Sequence, residues 1–461
     1  MKSMKKALYM LVGALLLSSC GIYTKYHRPD VNITGLYRDN VNNADTLAAS
    51  DTTTLGSTPW REVFTDPKLQ ALIDTALNNN TDLLTAALSV KQAEAMLTSA
   101  KLAYLPSFVF APTGSISSWD HNKATQTYSL PIQASWNVDL FGSLTNAKRA
   151  RQVALIQTRD YQRSVQTSLI ANVANCYYTL LMLDKQLEIT KENEKLTKET
   201  WETIEAMKDL YGYNAASVLS AKANYLSVQA AIPEIERQIR ETENTMSLLM
   251  AWAPQQISRG TFDQQSLPQK FATGIGIQVL SNRPDVHAKE MALANCFYNV
   301  NAARSAFYPS ITITGSAAWT NSSGMGIVNP GKLLASAVGS LVQPIFQRGQ
   351  LVANLKVAKA QEEAAFLAWQ QSILNAGSEV SNALKLYETA DKLSRIEAQR
   401  SETLAANVEA NKELMTSGAT YLEVISAQQS LLSSQLTKVS NDFNKMQAVV
   451  NLYYALGGGQ K

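Results

Sequence analysis

The chain of 461 residues lacks most of what an enzyme or a nucleic-acid binder is built from. It has three histidines, His27, His121 and His287, and no two of them stand at a metal-ligand spacing. No Gly-Lys-Ser/Thr phosphate loop and no nucleophile elbow occur, so neither nucleotide hydrolysis nor acyl transfer has its usual footing. The sequence therefore points to no enzyme, no cofactor and no metal centre. Charged residues make up 17% and aromatics 8%, and the net charge is only +3. Lys2, Lys5 and Lys6 lie within the first six residues, so the remainder balances near zero and offers nucleic acid no basic field. No apolar run is long enough to cross a bilayer as a helix.

Proline is missing from a long stretch as well. Between Gly349 and Ser417 there is none, and Gly377 is the only internal glycine. Such a stretch predicts one helix of roughly 100 Å, far longer than a globular core needs. Trp369, Ile373, Ala376, Val380, Ala383, Tyr387 and Ala390 recur at alternating steps of four and three. After Ser417-Gly418 the rule resumes through Leu422, Ile425, Gln429, Leu432, Leu436, Val439, Phe443, Met446, Val450 and Tyr453. Sustained heptads of this kind predict an antiparallel coiled-coil hairpin.

The N-terminus reads as a targeting segment. Three lysines precede the apolar run Ala7–Leu17, which suits a signal sequence and is too short for a permanent span. It ends in Leu17-Ser18-Ser19-Cys20, which resembles the bacterial lipobox; residues 1–19 would be removed and Cys20 acylated. Gly21 follows instead of an inner-membrane retention aspartate, so sorting to outer-membrane lipid is expected. Residues 20–59 read as an extended segment. Cys176 and Cys296 sit among apolar neighbours as small buried hydrophobes, and spacing alone leaves open whether they pair.

A helix is predicted from Lys68 to Ala103, followed by two strands. Tyr128, Leu130, Ile132, Ala134, Trp136, Val138 and Leu140 alternate with mostly polar residues, longer than most soluble strands and fit for a membrane barrel with a wet interior. Phe108–Trp119 is a less regular strand. A long helix, Leu144–Leu210, and a partner, Ala215–Trp252, come next, with Pro233 expected to bend the latter.

The pattern then starts again. Ala103-Tyr104-Leu105-Pro106-Ser107 corresponds to Ala306-Phe307-Tyr308-Pro309-Ser310, 203 positions later. A second strand, about 335–346, leads into Phe346-Gln347-Arg348-Gly349 as the earlier one leads into Phe141-Gly142, and Gly212 corresponds to Gly418. The expected organisation is a first repeat at 60–252, a linker at 253–282 and a second repeat at 283–461. Each repeat would hold helix, two strands, long helix and shorter helix. Four strands cannot close a bilayer barrel, whereas three copies would supply twelve.

In this order, several motifs resemble the TolC-like outer-membrane efflux family, in its lipoprotein branch. They are Cys20, Trp60…Phe64…Asp66-Pro67, Trp136…Asp139-Leu140-Phe141-Gly142, Asn282-Arg283-Pro284-Asp285, Phe307-Tyr308-Pro309-Ser310 and Gly418…Glu423-Val424-Ile425-Ser426-Ala427-Gln428. The resemblance implies an α+β membrane protein: a homotrimer whose 12-stranded outer-membrane barrel continues as an α-helical periplasmic tunnel. It implies a periplasmic adaptor and an inner-membrane resistance–nodulation–division pump as partners. A type I protein or peptide secretion duct is the alternative on the same fold. It also implies hairpin turns at Gly212 and Gly418 and a periplasmic gate around Leu422, Glu423 and Ser426. Ser426 stands where the family often carries aspartate, so Glu423 is the candidate for the acidic ring. Arg283 and Asp285 read as structural, with Pro284 opening a helix and Asp285 at its positive end.

If Cys20 carries the lipid, Cys20→Ser abolishes incorporation of radiolabelled palmitate; persistence of the label would move the anchor elsewhere.

Overall fold

The computed structural model describes residues 24–31, 55–118, 120, 123–211, 215–267, 283–320, 332–416 and 421–459. The signal peptide 1–19, Cys20, the turn glycines Gly212 and Gly418, and the second half of the linker lie outside them. After a single helical turn at Trp60–Val63, the longer helices are α1 Pro67–Asn79, α2 Thr81–Leu102, α3 Ser143–Tyr211, α4 Ala215–Leu249, α5 Pro284–Ser305, α6 Gln350–Thr416 and α7 Tyr421–Ala455. The strands are β1 Ser107–Phe110, β2 Thr113–Ser117, β3 Thr125–Val138, β4 Ser310–Thr320 and β5 Lys332–Val342. The order repeats itself as expected, and α3 and α6 run for 69 and 67 residues. Helices α4 and α7 have 35 each, so two short helices equal one long helix in length.

Two expectations change. The helix predicted over 68–103 is two helices, because Asn80 leaves the helical conformation between them. Its side chain accepts from the backbone N–H of Asp82 and Leu83, both at 3.0 Å, and its amide donates to the Leu249 carbonyl. An asparagine that caps a new helix and ties down the end of a third is worth more as a break than as one more helical turn. The first strand is in two pieces, β1 and β2, separated at Ala111-Pro112. Both pieces hold one register against β3, so the sheet still has four positions across it. Helix α4 continues across Pro233.

The chain forms two compact units, Met1–Val31 with Leu88–Asp160 and His287–Gln371, and Asn32–Ala87 with Tyr161–Val286 and Ser372–Lys461. The second unit is held by the predicted stripes. Ile170, Val173, Tyr177 and Leu180 on α3 and Ala376, Val380, Ala383 and Ala390 on α6 are all buried. Charge adds two clasps there. Arg259 bridges Asp184 at 2.5 and 2.9 Å and Glu243 at 2.5 Å. Its bond to Asp184 outweighs burial and the Glu243 contact adds to it, so the guanidinium is held charged. Nearby, Tyr177 donates to Asp66 at 2.5 Å and accepts from the Gly260 N–H at 2.8 Å. The second clasp is Arg283, buried, paired with Asp285 at 2.8 Å and Glu379 at 2.7 Å, and donating to the Ala455 carbonyl at the end of α7. The structural reading of Arg283 and Asp285 stands, with a wider reach than one helix start.

The first unit contains the whole sheet, and the short segment Thr24–Val31 lies in it. Tyr26 donates its backbone N–H to the Tyr298 hydroxyl, and Arg28 makes a two-pronged ion pair with Glu290. One turn earlier on α5, His287 bonds the buried Asp160 at 2.6 Å. Cys176 and Cys296 are both free thiols, each pushed up by burial. No described helix is long and apolar enough to cross a membrane.

The Asp160 hydrogen bond raises the His287 pKa above 6.5, against the opposing effect of partial burial; Glu290 raises it further and Arg28 lowers it. A raised value in the folded state means that this stabilisation is complete below about pH 6.5 and is lost as pH rises through the folded value. Melting temperature should therefore fall across the range above about pH 6.5, and His287→Gln should flatten that fall. Thermal melts over a pH series check it.

Candidate functional site

Two arrangements bear on function: the faces of the sheet and the helix ends near α7. In the sheet, every neighbour is antiparallel in the order β1/β2, β3, β4, β5. The registers collect side chains by type. On one face Leu130 sits opposite Trp319, Ile132 opposite Ala317, Ala134 opposite Gly315, Trp136 opposite Ile313 and Val138 opposite Ile311. Phe108 and Phe110 extend that face across β1, and Ala335, Ala337, Gly339 and Leu341 across β5.

The other face presents Ser135, Gln133 and Ser129 of β3 against Thr314, Ser316 and Thr320 of β4, with Val109 of β1 and Leu334, Val338 and Val342 of β5 interspersed at its margins. Hydroxyls there bond one another, as Ser316 does Ser336 at 2.8 Å, and Thr312 donates to Asn137 at 2.9 Å. Strands β1 to β4 contain no charged residue.

The apolar face is exposed rather than covered by helices: Ile132 is 47% and Phe108 69% exposed. A period-two sheet with an uncovered apolar face and a hydroxyl-lined face suits lipid on one side and water on the other. Trp136 and Trp319 stand near opposite ends of the β3–β4 ladder, about 20 Å apart along the strands at the rise of a strand.

At the helix ends, Ile204 of α3, Ala221 of α4 and Val424 and Ile425 of α7 form one buried cluster, with Trp201, Val218 and Tyr421 packed against it. Trp201 stacks on Tyr225 at 5.6 Å, and the Lys222 ammonium lies 5.1 Å from the Trp201 ring. Hydrogen bonds cross between helices: Gln428 to Thr200 at 2.7 Å and Gln429 to Asn224 at 2.8 Å. Val424, Ala427 and Leu431 are buried, whereas Leu422 and Gln429, expected on the seam, are exposed. At the start of α7 the predicted Ile425 is buried, and the buried stripe also takes in Val424, which packs with Ile204 and Ala221, and Ala427 and Leu431, which pack against Val408 and Leu404 of α6.

Leu422, Glu423 and Ser426 therefore share one exposed face of the first turns of α7, at three- and four-residue steps. The structure brings these three together. The glycines expected beside them, Gly212 and Gly418, are outside the described residues. The cross-helix glutamines were not foreseen as contacts, although Gln429 among apolar heptad positions was a signal of one. Among the described residues, no cluster of His, Cys, Asp and Glu could hold a metal.

The two faces of β4 predict opposite outcomes at adjacent positions. Ile313→Lys should cost about 2–4 kcal/mol and reduce membrane assembly, while Thr314→Lys should assemble normally and alter channel conductance. Heat-resistant oligomer on gels and planar-bilayer recordings check both.

Comparison with known proteins agrees with this geometry. The family model described as outer membrane efflux protein matches residues 72–251 and 277–458. The chain is 28% identical to the cation efflux system protein CusC of Escherichia coli K12 over 453 residues, covering 97% of this chain and 98% of that one. It is 27% identical to the toluene efflux pump outer membrane protein TtgC of Pseudomonas putida, covering 99% and 96%. Among solved structures, the open state of the Neisseria gonorrhoeae MtrE outer membrane channel superposes with a TM-score of 0.85 at 26% identity, over 95% of this chain and 98% of that one. The fold expected from the sequence, strands for a barrel and long helices for a tunnel, is the fold found. The chain belongs to the outer membrane efflux protein family and is an efflux channel of the outer membrane.

Proposed function

We propose that three copies of this chain form the outer-membrane duct of a tripartite efflux pump. Each copy contributes four strand positions to a twelve-stranded barrel, and its helices line the periplasmic tunnel. The observation that carries this reading is the sheet, four positions wide, with one apolar face and one that carries the hydroxyls, whose edge strands β1/β2 and β5 have no second partner among the described residues. An open edge is not stable in lipid, so closure must come from other copies. The duct conducts passively, and no catalytic step is part of this reading; a periplasmic adaptor and an inner-membrane resistance–nodulation–division pump supply connection and energy.

The cargo proposed is small molecules, whether drugs, dyes, detergents or metal ions. The relatives' names span a cation and toluene, and the charge-free strands β1 to β4 suit such breadth. The lipid on Cys20 adds a second hold on the outer membrane beside the barrel. The repeats at 60–252 and 283–461, joined by 253–282, are the working division of the chain.

Leu422, Glu423 and Ser426, with turns at Gly212 and Gly418, are proposed as the periplasmic gate. Support comes from their shared exposed face and from the one carboxylate on it, which in three copies would concentrate negative charge around the axis. On this reading Glu423→Ala lowers the cation preference of the channel in planar bilayers; an unchanged reversal potential would remove Glu423 from the gate. The function itself is tested by mild crosslinking in the native membrane. Co-purification of an adaptor and a resistance–nodulation–division pump is the expected result, and recovery of an ATP-driven exporter would overturn it.

A further inference from the structure

The internal repeat is visible at the level of single hydrogen bonds, and it specifies how neighbouring copies meet. Near the base of the first hairpin, the Trp136 indole N–H donates to the Tyr104 carbonyl at 2.9 Å. In the second, the Gln343 amide donates to the Phe307 carbonyl at 3.1 Å. Position 104 thus answers to 307 and position 136 to 343. The ladders give the same equivalence independently: Ser107 pairs with Ser135, and Ser310 with Val342. The repeats are therefore offset by 203 positions in the leading strand and by 207 in the returning one.

Between these two hairpins runs the junction of β3 and β4, in which Trp136 faces Ile313. Applying the same offsets to that junction carries β3 onto β5 and β4 onto β1/β2. We propose that β5 of one copy pairs antiparallel with β1/β2 of the next in the register that places Gln343 opposite Phe110, an inference that rests on the trimeric reading above. In this register Ser340 faces Thr113 and Ser336 faces Ser117 on the face that carries the hydroxyls, with Val338 opposite Ser115 and Val342 opposite Ala111 between and beside them. Gly339 faces Gly114 and Ala337 faces Ile116, which continues the apolar face.

Three observations support it. Residues paired across an antiparallel junction point to the same side of the sheet, and the pairing of β5 with β4 and of β1/β2 with β3 already fixes those sides, so every odd slip is excluded. With an even number of strand positions per copy, the edges meet antiparallel, as every other neighbour in the sheet does. The residues left bare are those that the repeat says should be covered. Phe141 stacks on Tyr308 at 4.9 Å, whereas Phe346, which follows β5 as Phe141 follows β3, is 83% exposed, and Leu105, the mate of Tyr308, is 61% exposed. Phe346 accordingly packs on Leu105 of the neighbouring copy. Pro112, opposite Leu341 in this seam, has no N–H and removes one donor from the ladder.

Cysteine pairs read the register directly, because residues facing each other across an antiparallel junction have Cβ atoms about 4.5–5.5 Å apart. With Cys176 and Cys296 replaced by alanine, Ser340→Cys combined with Thr113→Cys should give covalent dimers and trimers with a short bis-thiosulfonate. Ser340→Cys with Ala111→Cys, or with Ser115→Cys, should crosslink at least tenfold less. These changes are small, and light scattering of each variant in detergent shows whether it assembled. A trimer that crosslinks preferentially through position 111 or 115, or through none of the three, overturns the register and leaves the trimer standing. A monodisperse monomer overturns both.

Discussion

Everything in the sheet follows from one constraint: a backbone N–H or C=O facing hydrocarbon must be hydrogen-bonded to protein. Each chain brings four strand positions, too few to curl shut, and so carries an open edge on either side. The sequence meets those edges by repetition: the helix, strand, strand order that builds the β1/β2–β3 hairpin is used again for β4 and β5. In β3 and β4, where apolar and polar residues alternate, a slip by one residue would place hydroxyls in lipid. The absence of charge from β1 to β4 belongs to the same logic, since a water-filled passage lined by serine and threonine hydrogen-bonds cargo without selecting its sign.

The helices solve a different problem. A helix of 69 residues gains little from local propensity and depends on a continuous stripe of contacts along its length. Small residues such as Ala376, Ala383 and Ala390 on α6 allow close approach, and larger ones such as Tyr177 and Leu180 on α3 fill the space. Where apolar stripes stop, arginines take over. Arg259 holds the segment after α4 to α3 and α4 through two carboxylates, and Arg283 holds the start of α5 to the end of α7. Each sits where a chain segment changes direction, and each would leave buried carboxylates or carbonyls unpaired if removed.

Near the start of α7 the packing is more polar. The Ile204–Ala221–Val424–Ile425 cluster is small, and hydrogen bonds from Gln428 and Gln429 accompany it across to the neighbouring helices. Directional bonds of this kind fix one arrangement with modest net energy, so the helix ends can be well defined and still separable. The exposed face opposite the cluster is the one that carries Glu423.

Local periodicity is what the sequence by itself determined. Alternation of two told strand from helix, the three-and-four step placed α3, α4, α6 and α7 within a few residues of their ends, and the repeated Pro106-Ser107 and Pro309-Ser310 motifs revealed the duplication. Those features depend on neighbours along the chain, so they can be read without coordinates. Tertiary structure decided the rest. Asn80 breaks a helix because it can reach the Leu249 carbonyl, 169 residues away. At the start of α7, Val424 is buried because it meets Ile204 of α3 and Ala221 of α4, and Ala427 because α6 presents Val408 there, whereas Leu422 meets neither and is exposed. Arg259 finds Asp184 and Glu243, and His287 finds Asp160, only once distant segments are side by side. A period says which face of an element is apolar; only packing says what that face meets.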